Sequence, residues 1–149
     1  MAKLPQFETL FATLKNPILG VLVGTLFTAL IQSSAASIAI LQALSASGLI
    51  TFASAFPIIM GQNIGTCITP VLSSIGANKN AKRAAAMHVY FNTIGTIVFL
   101  IAVYIIQYTI GIPFWDEAFD VGDIASFHTI FNIVVTILFV PFSKVLVKL

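Results

Sequence analysis

A long stretch without charged side chains most constrains what this chain can fold into. From Asn16 to Asn78 the sequence contains no Asp, Glu, Lys, Arg or His. Such a stretch is typical of segments buried in lipid, where a charge is costly. Its centre, Gln32-Ser33-Ser34, is nevertheless polar. Polar groups are tolerated at membrane depth when they line a protein pocket or a water-filled cavity, so the stretch predicts a binding site.

The composition predicts an all-α polytopic membrane protein. Hydrophobic residues make up 58% of the chain, charged residues only 8%, and the mean hydropathy is +1.03. Soluble domains carry about 25% charged residues. The basic residues form no cluster typical of nucleic-acid binding. The single Cys67 excludes an internal disulfide and lacks the neighbours of a metal site, and we expect no cofactor and no enzymatic activity.

Residues 1–15 have the pattern of a short amphipathic helix that lies in the membrane interface. Their apolar side chains recur every three or four residues, with the charged side chains off that face. They are Leu4, Phe7, Leu10, Phe11 and Leu14. No apolar core of signal-peptide length is present before Lys15, so the first membrane segment itself must direct insertion.

Residues 16–48 predict a hairpin with its tip at Gln32-Ser33-Ser34. Pro17 is suited to the first turn of a helix. The apolar run 18–31 would be about 21 Å long, which is less than the roughly 30 Å of the hydrocarbon core. A second half-helix is predicted over 35–47. Small residues recur on one face of each half and favour close helix packing. They are Gly20, Gly24 and Thr28, followed by Ala36, Ala39, Ala43 and Ala46.

Residues 49–77 repeat this plan as a second broken segment. An apolar stretch over 52–60 is followed by Gly61-Gln62-Asn63-Ile64-Gly65-Thr66 and a further apolar stretch over 67–75. The glycines and polar residues predict a helix break at 61–66. The sequence leaves open whether the two broken segments re-enter the membrane or cross it.

Two transmembrane helices are predicted over 84–107 and 124–143. The intervening loop, 108–123, holds four of the five acidic residues and no Lys or Arg. If the two broken segments together return the chain to its starting side, all seven basic residues share one face. The positive-inside rule then makes the basic loops cytoplasmic and favours an even number of crossings before Asn78.

Both predicted spanning helices carry the pattern His-x-x-Phe-Asn, followed by Thr four residues later. The two stripes are His88, Asn92 and Thr96, and His128, Asn132 and Thr136. Residues four apart share one helix face. The stripes would line a pocket or pack against a moving element, or they would form hydrogen bonds between helices.

A helix break inside a membrane provides chemistry for anions and cations. The N-terminus of the second half offers unpaired N–H groups, which suit an oxyanion, and the C-terminus of the first half offers carbonyls for a small cation. Ser33 and Ser34 would cap the second half-helix, or they would only bond the preceding turn. A hydrolase dyad of either serine with His88 is disfavoured, because residues 16–78 contain no acid or GxSxG motif.

Four blocks in order resemble the type II sodium/phosphate cotransporter family, from about residue 15 to 143. The blocks are 24–34, 61–66, 85–92 (Ala85-Ala86-Met87-His88-Val89-Tyr90-Phe91-Asn92), and 128–132 together with Pro141-Phe142. The resemblance implies import of inorganic phosphate driven by Na⁺ across the plasma membrane, in bacteria the inner membrane. It also implies two inverted repeats, of which this chain is similar to the second. One half of an inverted-repeat transporter is therefore expected, with a second repeat or subunit as partner.

The resemblance also implies candidate site residues at the two breaks. For phosphate they are Gln32, Ser33, Ser34, Asn63, Gly65 and Thr66. For Na⁺ they are Thr28, Ser34, Ser37, Gln62, Thr66 and Thr69. The resemblance also implies that residues 16–149 form one complete repeat of the transporter. Two positions depart from the family pattern, because Ala35 and Cys67 replace an expected Ser and Thr.

The alternative function is a non-transporting membrane subunit that binds partner proteins through its small-residue faces.

Overall fold

The computed structural model describes residues 12–48 and 50–142. The predicted interfacial helix therefore lies largely outside the described residues, as do Lys3, Lys144 and Lys148. Leu14, at the end of that helix, is buried in the protein core.

The described residues contain no strands, and six of their α-helices have defined bounds, so the predicted all-α class is confirmed. In chain order they are α1 (Pro17–Ile31), α2 (Ser34–Ser45), α3 (Phe52–Gly65), α4 (Ile68–Ser73), α5 (Lys79–Thr109) and α6 (Val121–Phe139), followed by the 3-10 turn Val140–Phe142. Three helical segments are long and apolar enough to cross a membrane: Phe52–Ser73, Lys79–Thr109 and Val121–Phe142. The first of these consists of α3 and α4 together.

The two long helices begin earlier than the sequence predicts because polar residues cap them. The Asn78 side chain accepts a hydrogen bond from the Ala81 N–H, so the stretch 79–83, predicted as loop, forms the first turns of α5. Asp120 and Asp123 form a reciprocal capping box at the start of α6. Side-chain acceptors at these positions satisfy N–H groups that a helix start leaves unpaired.

Helices α1 and α2 form an antiparallel hairpin. The Thr28 hydroxyl donates to the Ser37 hydroxyl across the pair at 2.8 Å. The outer ends of both helices lie beside the loop between α5 and α6, where Lys15 pairs with Asp116 and the Ser45 hydroxyl donates to the Phe119 carbonyl. The hairpin therefore turns at the predicted Gln32-Ser33-Ser34 tip. At 15 residues, α1 is only about 22 Å long.

The predicted break at 61–66 is shorter than expected and lies at the C-terminal end of that range. Helix α3 continues through Gly61 to Gly65, and only Thr66 and Cys67 separate it from α4. Both of these residues keep right-handed helical dihedral angles. The glycines that suggested a break serve a different purpose, because they allow α3 to approach α1.

The α1–α3 contact is a glycine seam formed by Gly20, Gly24, Gly61 and Gly65. A Cβ at Gly24 would lie 2.1 Å from the Ile58 carbonyl oxygen. A Cβ at Gly61 would lie 2.1 Å from the Val21 carbonyl oxygen, so the two helices are in backbone contact. Small residues permit this approach in lipid, where packing must replace the hydrophobic effect. The predicted small-residue face of α1 is thus packed against α3. On the second half of the hairpin, Ala39, Ala43 and Ala46 are exposed.

The loop between α5 and α6 covers the start of α3. Carbonyls of Glu117 and Trp115 accept hydrogen bonds from the N–H groups of Phe52 and Ala53. The Phe52 ring lies 5.1–5.7 Å from five other aromatic rings, three of which belong to this loop. The N-terminus of α3 is therefore closed by protein.

The predicted side of Lys15 is wrong. Its ammonium nitrogen lies 2.6 Å from an Asp116 carboxylate oxygen, so Lys15 belongs to the side of the acidic loop. Lys79, Lys82 and Arg83 lie at the opposite end of α5, which is about 46 Å long. Between Lys15 and Asn78 the chain passes once from one side to the other.

Loss of the Lys15–Asp116 ion pair will change stability little. Both side chains are exposed, at 44% and 71%, and exposed pairs contribute about 0–1 kcal/mol. We expect Lys15→Ala to lower the free energy of unfolding by less than about 1 kcal/mol in detergent. Asp116→Ala serves as the reciprocal control. A loss of several kcal/mol in either variant would contradict the assignment.

Candidate functional site

The tip of the α1–α2 hairpin is built by an abrupt change of backbone direction. Gln32 has φ 58° and ψ 24°, a left-handed conformation uncommon for a residue with a side chain. Ser33 is extended and caps α2, because its hydroxyl oxygen accepts the Ala36 N–H at 3.2 Å. The polar residues at the centre of the uncharged stretch thus end one helix and begin the next.

The first N–H groups of α2 remain available at this tip. A helix start leaves its first N–H groups without intrahelical acceptors. Ser33 satisfies that of Ala36, and within the described residues those of Ser34 and Ala35 make no hydrogen bond. Gln32 and Ala35 are exposed, and the two serines are half-buried. Two N–H groups, the Ser34 hydroxyl and the positive end of the α2 dipole can therefore receive an anion without any Lys or Arg.

A second polar group lies behind the tip, where α1, α2 and α3 meet. It consists of Thr28, Ser37 and Gln62, each at most 1% exposed. The Gln62 Nε2 donates to the Ser37 carbonyl at 3.2 Å, and the Thr28 hydroxyl donates to that of Ser37. The Gln62 Oε1 is buried and has no hydrogen-bond partner in the described part of the chain. A buried acceptor without a partner costs about 1–3 kcal/mol, and the Gln62 oxygen is free to accept a hydrogen bond or to coordinate a cation.

A cavity of about 190 Å³ adjoins this polar group. Ser37 and Gln62 provide the polar side chains of its wall, and the rest of the wall is apolar or glycine. Its volume is sufficient for small ions or waters but small compared with typical sites for organic ligands. The unpartnered Gln62 oxygen and this cavity belong to one region of the protein.

The remaining predicted ligands at 63–69 are arranged differently from the expectation. Asn63 is 3% exposed and its amide donates to the Ile59 carbonyl one turn earlier, so it does not cap a helix. Gly65 packs against α1, and the Thr66 hydroxyl donates to the Gln62 carbonyl. Only Thr69 reaches the tip, with its hydroxyl 3.5 Å from the Gln32 carbonyl oxygen. Asn63, Gly65 and Thr66 thus make contacts within α3 or with α1, whereas Thr69 contacts the tip.

The stripe on α5 is packed inside the protein. Asn92 and Thr96 are buried, and the Thr96 hydroxyl donates to the Met60 carbonyl of α3 at 3.2 Å. The Asn92 amide donates to the His88 carbonyl, and the Cys67 thiol lies 3.5 Å from the same carbonyl oxygen. Thr96 therefore connects α5 to α3, whereas the Asn92 amide bonds a carbonyl of its own helix.

The stripe on α6 lies elsewhere. His128 and Asn132 are half-buried, and Thr136 is exposed. Together with Thr129, Ile133 and Ile137 they form an open groove of about 440 Å³ on α6 alone. The two copies of the motif thus have different surroundings, and neither lines the hairpin tip.

One contributor to the tip was missed at the sequence level. From the sequence, Ala35 is a departure from the family pattern that removes an expected serine hydroxyl from the site. Its N–H is nevertheless the second free donor of α2. The position of Ala35 as the second residue of α2 could have revealed this donor, since the second residue of any helix has an N–H without an intrahelical partner, whatever its side chain.

The protein is a helical membrane protein with a broken-helix tip and a buried polar group beside a largely apolar cavity. Discontinuous helices of this kind are typical of secondary carriers. The Na+/Pi-cotransporter family matches residues 5–144, and the chain belongs to this family of membrane transport proteins. Its members are transporters rather than enzymes.

Three relatives illustrate the match. The uncharacterized protein YqeW of Bacillus subtilis (strain 168) is 33% identical over 130 residues, 86% of this chain and 41% of its own length. Sodium-dependent phosphate transport protein 2B of Homo sapiens is 40% identical over 101 residues, 64% of this chain and 15% of its own. The "Putative inorganic phosphate export protein YjbB" of Escherichia coli (strain K12) is 29% identical over 136 residues, which are 91% of this chain and 24% of the relative's own length.

The chain spans less than half the length of each of these relatives. No solved structure matches the chain.

Proposed function

We propose that this chain is one repeat of a Na⁺-coupled phosphate symporter that imports inorganic phosphate. The observation that carries the proposal is the hairpin tip, where α2 presents two free N–H groups and serine hydroxyls. Phosphate binds well at such helix N-termini, since backbone donors and the dipole favour negative charge. The names of the relatives, which include sodium-dependent phosphate transport proteins, support this substrate.

The proposal assigns roles to the predicted ligands at the tip and in the polar group behind it. The Ser34 hydroxyl and the N–H groups of Ser34 and Ala35 bind phosphate oxygens, Ser33 holds the start of α2, and Gln32 shapes the turn. Na⁺ binds in the pocket behind the tip, with oxygen ligands from Thr28, Ser37 and Gln62, because small hard cations prefer such oxygens. Ser34 and Thr69 remain candidates at the tip itself, and Na⁺ is a coupled substrate.

The membrane arrangement follows from the corrected topology. The α1–α2 hairpin enters and leaves the membrane on the side of the acidic loop, while α3 to α6 provide three crossings. Lys79, Lys82 and Arg83 make the opposite side cytoplasmic by the positive-inside rule. The membrane is the plasma membrane, in a bacterium the inner one. A second repeat, in this or another chain, supplies the opposing half of the site.

Phosphate uptake will depend on the serines of the tip. Uptake of labelled phosphate into proteoliposomes is measured with and without a Na⁺ gradient, in the chain and, if needed, together with a partner repeat. Ser34→Ala should reduce uptake at least about tenfold without loss of stability, because a hydrogen bond to a charged group contributes about 1.5–3 kcal/mol. Ser33→Ala should also destabilise α2 by about 1 kcal/mol through loss of the cap.

The matched control is Ser47→Ala, which removes an exposed hydroxyl bonded to the Leu44 carbonyl beyond the end of α2. Its uptake should equal that of the wild type. Equal uptake in Ser34→Ala and wild type would remove this hydroxyl from the mechanism. A phosphate-dependent thermal shift in detergent that is lost in Ser34→Ala would separate the proposal from a non-transporting subunit, for which no shift is expected.

A further inference from the structure

The hairpin tip and the polar group behind it share the first turn of α2. Ser34 is the first residue of this helix, and Ser37 belongs to the polar group. The Ser37 N–H donates to the Ser33 carbonyl at 3.0 Å, and the Ser37 carbonyl accepts the Gln62 amide at 3.2 Å. Residues three apart on a helix are neighbours, with about 5–6 Å between their Cβ atoms. A group bound at Ser34 and a group bound at Ser37 are therefore close together.

Helix α1 brings the same two regions together from its own side. The Gln32 N–H donates to the Thr28 carbonyl at 2.7 Å, so Thr28 lies one helical turn before the tip. The Thr28 hydroxyl donates to that of Ser37 at 2.8 Å, which places both residues at the same depth in the hairpin. Along both helices, the polar group thus lies about 5.4 Å, one turn, behind the tip.

Neither region contains a charged side chain. All of their residues belong to the stretch 16–78, which has no Asp, Glu, Lys, Arg or His. The polar group is at most 1% exposed and includes the Gln62 Oε1, which has no partner among the described residues. A cation bound to these oxygens alone would be a buried charge without a countercharge, which is costly. The acidic loop lies beside Ser45, about 12 Å further along α2 than Ser37.

We infer that the cation in the polar group and the phosphate at the tip are each other's countercharge, so that each raises the affinity of the chain for the other. The inference rests on the proposed function and deepens it, because the two ions attract each other directly across one turn of α2 and no charged side chain takes part. At about 6 Å and an effective dielectric constant of about 40, this attraction corresponds to about a tenfold change in affinity. Thermodynamic linkage makes the factor the same in both directions.

An aspartate at position 34 tests the inference, because it places a fixed negative charge where phosphate binds. Acidic residues are favourable in the first turn of a helix, so Ser34→Asp should fold as well as the wild type. Na⁺-dependent thermal stability is measured in detergent without phosphate, with choline chloride holding the ionic strength constant. The half-saturating Na⁺ concentration should be about tenfold lower in Ser34→Asp than in Ser34→Asn, which has the same shape without the charge.

The control for position is Ser47→Asp. Ser47 is exposed beyond the end of α2, about 15 Å from Ser37 at the rise of an α-helix. Its Na⁺ titration should equal that of the wild type. The reverse effect is measured by adding inorganic phosphate, which should lower the half-saturating Na⁺ concentration about tenfold in the wild type. Phosphate should leave it unchanged in Ser34→Asp, where the carboxylate occupies the phosphate position.

Equal Na⁺ titrations in Ser34→Asp and Ser34→Asn would overturn the inference. So would a shift in Ser47→Asp as large as that in Ser34→Asp, or a wild-type titration that phosphate does not change. In each of these cases, phosphate uptake driven by a Na⁺ gradient in the wild type would leave the proposed function unaffected. Absence of any Na⁺ response in the wild type, in both stability and uptake, would overturn the inference and the proposed function together.

Discussion

Replacing Gly61 with alanine will destabilise the protein by about 1–3 kcal/mol, the range for overpacking a close contact. The added methyl group would lie 2.1 Å from the Val21 carbonyl oxygen and 2.9 Å from the Thr25 backbone nitrogen. Backbone atoms cannot rotate away as a side chain does, so α1 must move outward as a whole. Denaturant unfolding in detergent would measure the loss, and Gly61→Leu should prevent folding.

The control for this prediction is Gly122→Ala in α6. A Cβ there meets only a side-chain oxygen of Asp120, at 3.3 Å, and alanine is a better helix former than glycine. Its stability should be unchanged or slightly higher. The Thr25 hydroxyl donates to the Gly61 carbonyl at 3.1 Å, so separation of α1 and α3 also breaks this bond. An unchanged free energy of unfolding in Gly61→Ala would contradict the close backbone contact between α1 and α3 at Gly61.

The hairpin tip could be predicted from the sequence because its signal is local. A Gln and two Ser in the middle of an apolar run leave few alternatives to a helix break, and a Ser at the first position fits a cap. Helix starts were less accurate, since Asn78 and Asp120 extend helices into stretches that looked like loops. Hydrogen bonds from the first N–H groups of each helix to these capping side chains stabilise a helix start among charged residues, which had suggested a loop.

The exact position of the second break could not be predicted because glycine has two uses that look alike in sequence. Gly61 and Gly65 suggested a break at their own positions, yet both lie within α3 and contact α1, and the interruption follows them. Which use applies depends on a neighbour 36 or more residues away in the chain. The orientation of Lys15 failed for a similar reason, since its ion pair with Asp116 joins residues that are 101 positions apart.

The tertiary fold also separated the candidate ligands into groups that spacing could not distinguish. Thr28, Ser37 and Gln62 come together because α1 and α2 pack on the same side of α3. Asn63, adjacent to Gln62, points back to its own helix. Neighbours in a helix differ by 100° in direction, so adjacent polar residues in a motif need not share a site.

Replacing Gln62 with leucine will abolish or strongly weaken Na⁺ dependence while leaving stability nearly unchanged. Leucine has a similar volume and removes the buried Oε1 that has no partner in the described residues, and with it a cost of about 1–3 kcal/mol. The variant also loses the 3.2 Å hydrogen bond from the Gln62 Nε2 to the Ser37 carbonyl, which contributes about 1 kcal/mol, so without Na⁺ its stability should be close to that of the wild type. Loss of an oxygen ligand to a cation should raise the half-saturating Na⁺ concentration about tenfold or more.

The measurement is Na⁺-dependent thermal stability in detergent together with phosphate uptake titrated with Na⁺, using choline as the replacement cation. The matched control is Thr96→Val, which removes a buried hydroxyl bonded to the Met60 carbonyl outside the pocket. That variant should lose about 1 kcal/mol of stability and keep the wild-type Na⁺ titration. If Gln62→Leu also keeps it, the cavity behind the tip does not hold the coupling ion. Unchanged stability together with loss of the Na⁺ response would identify Gln62 as a residue that serves function rather than folding.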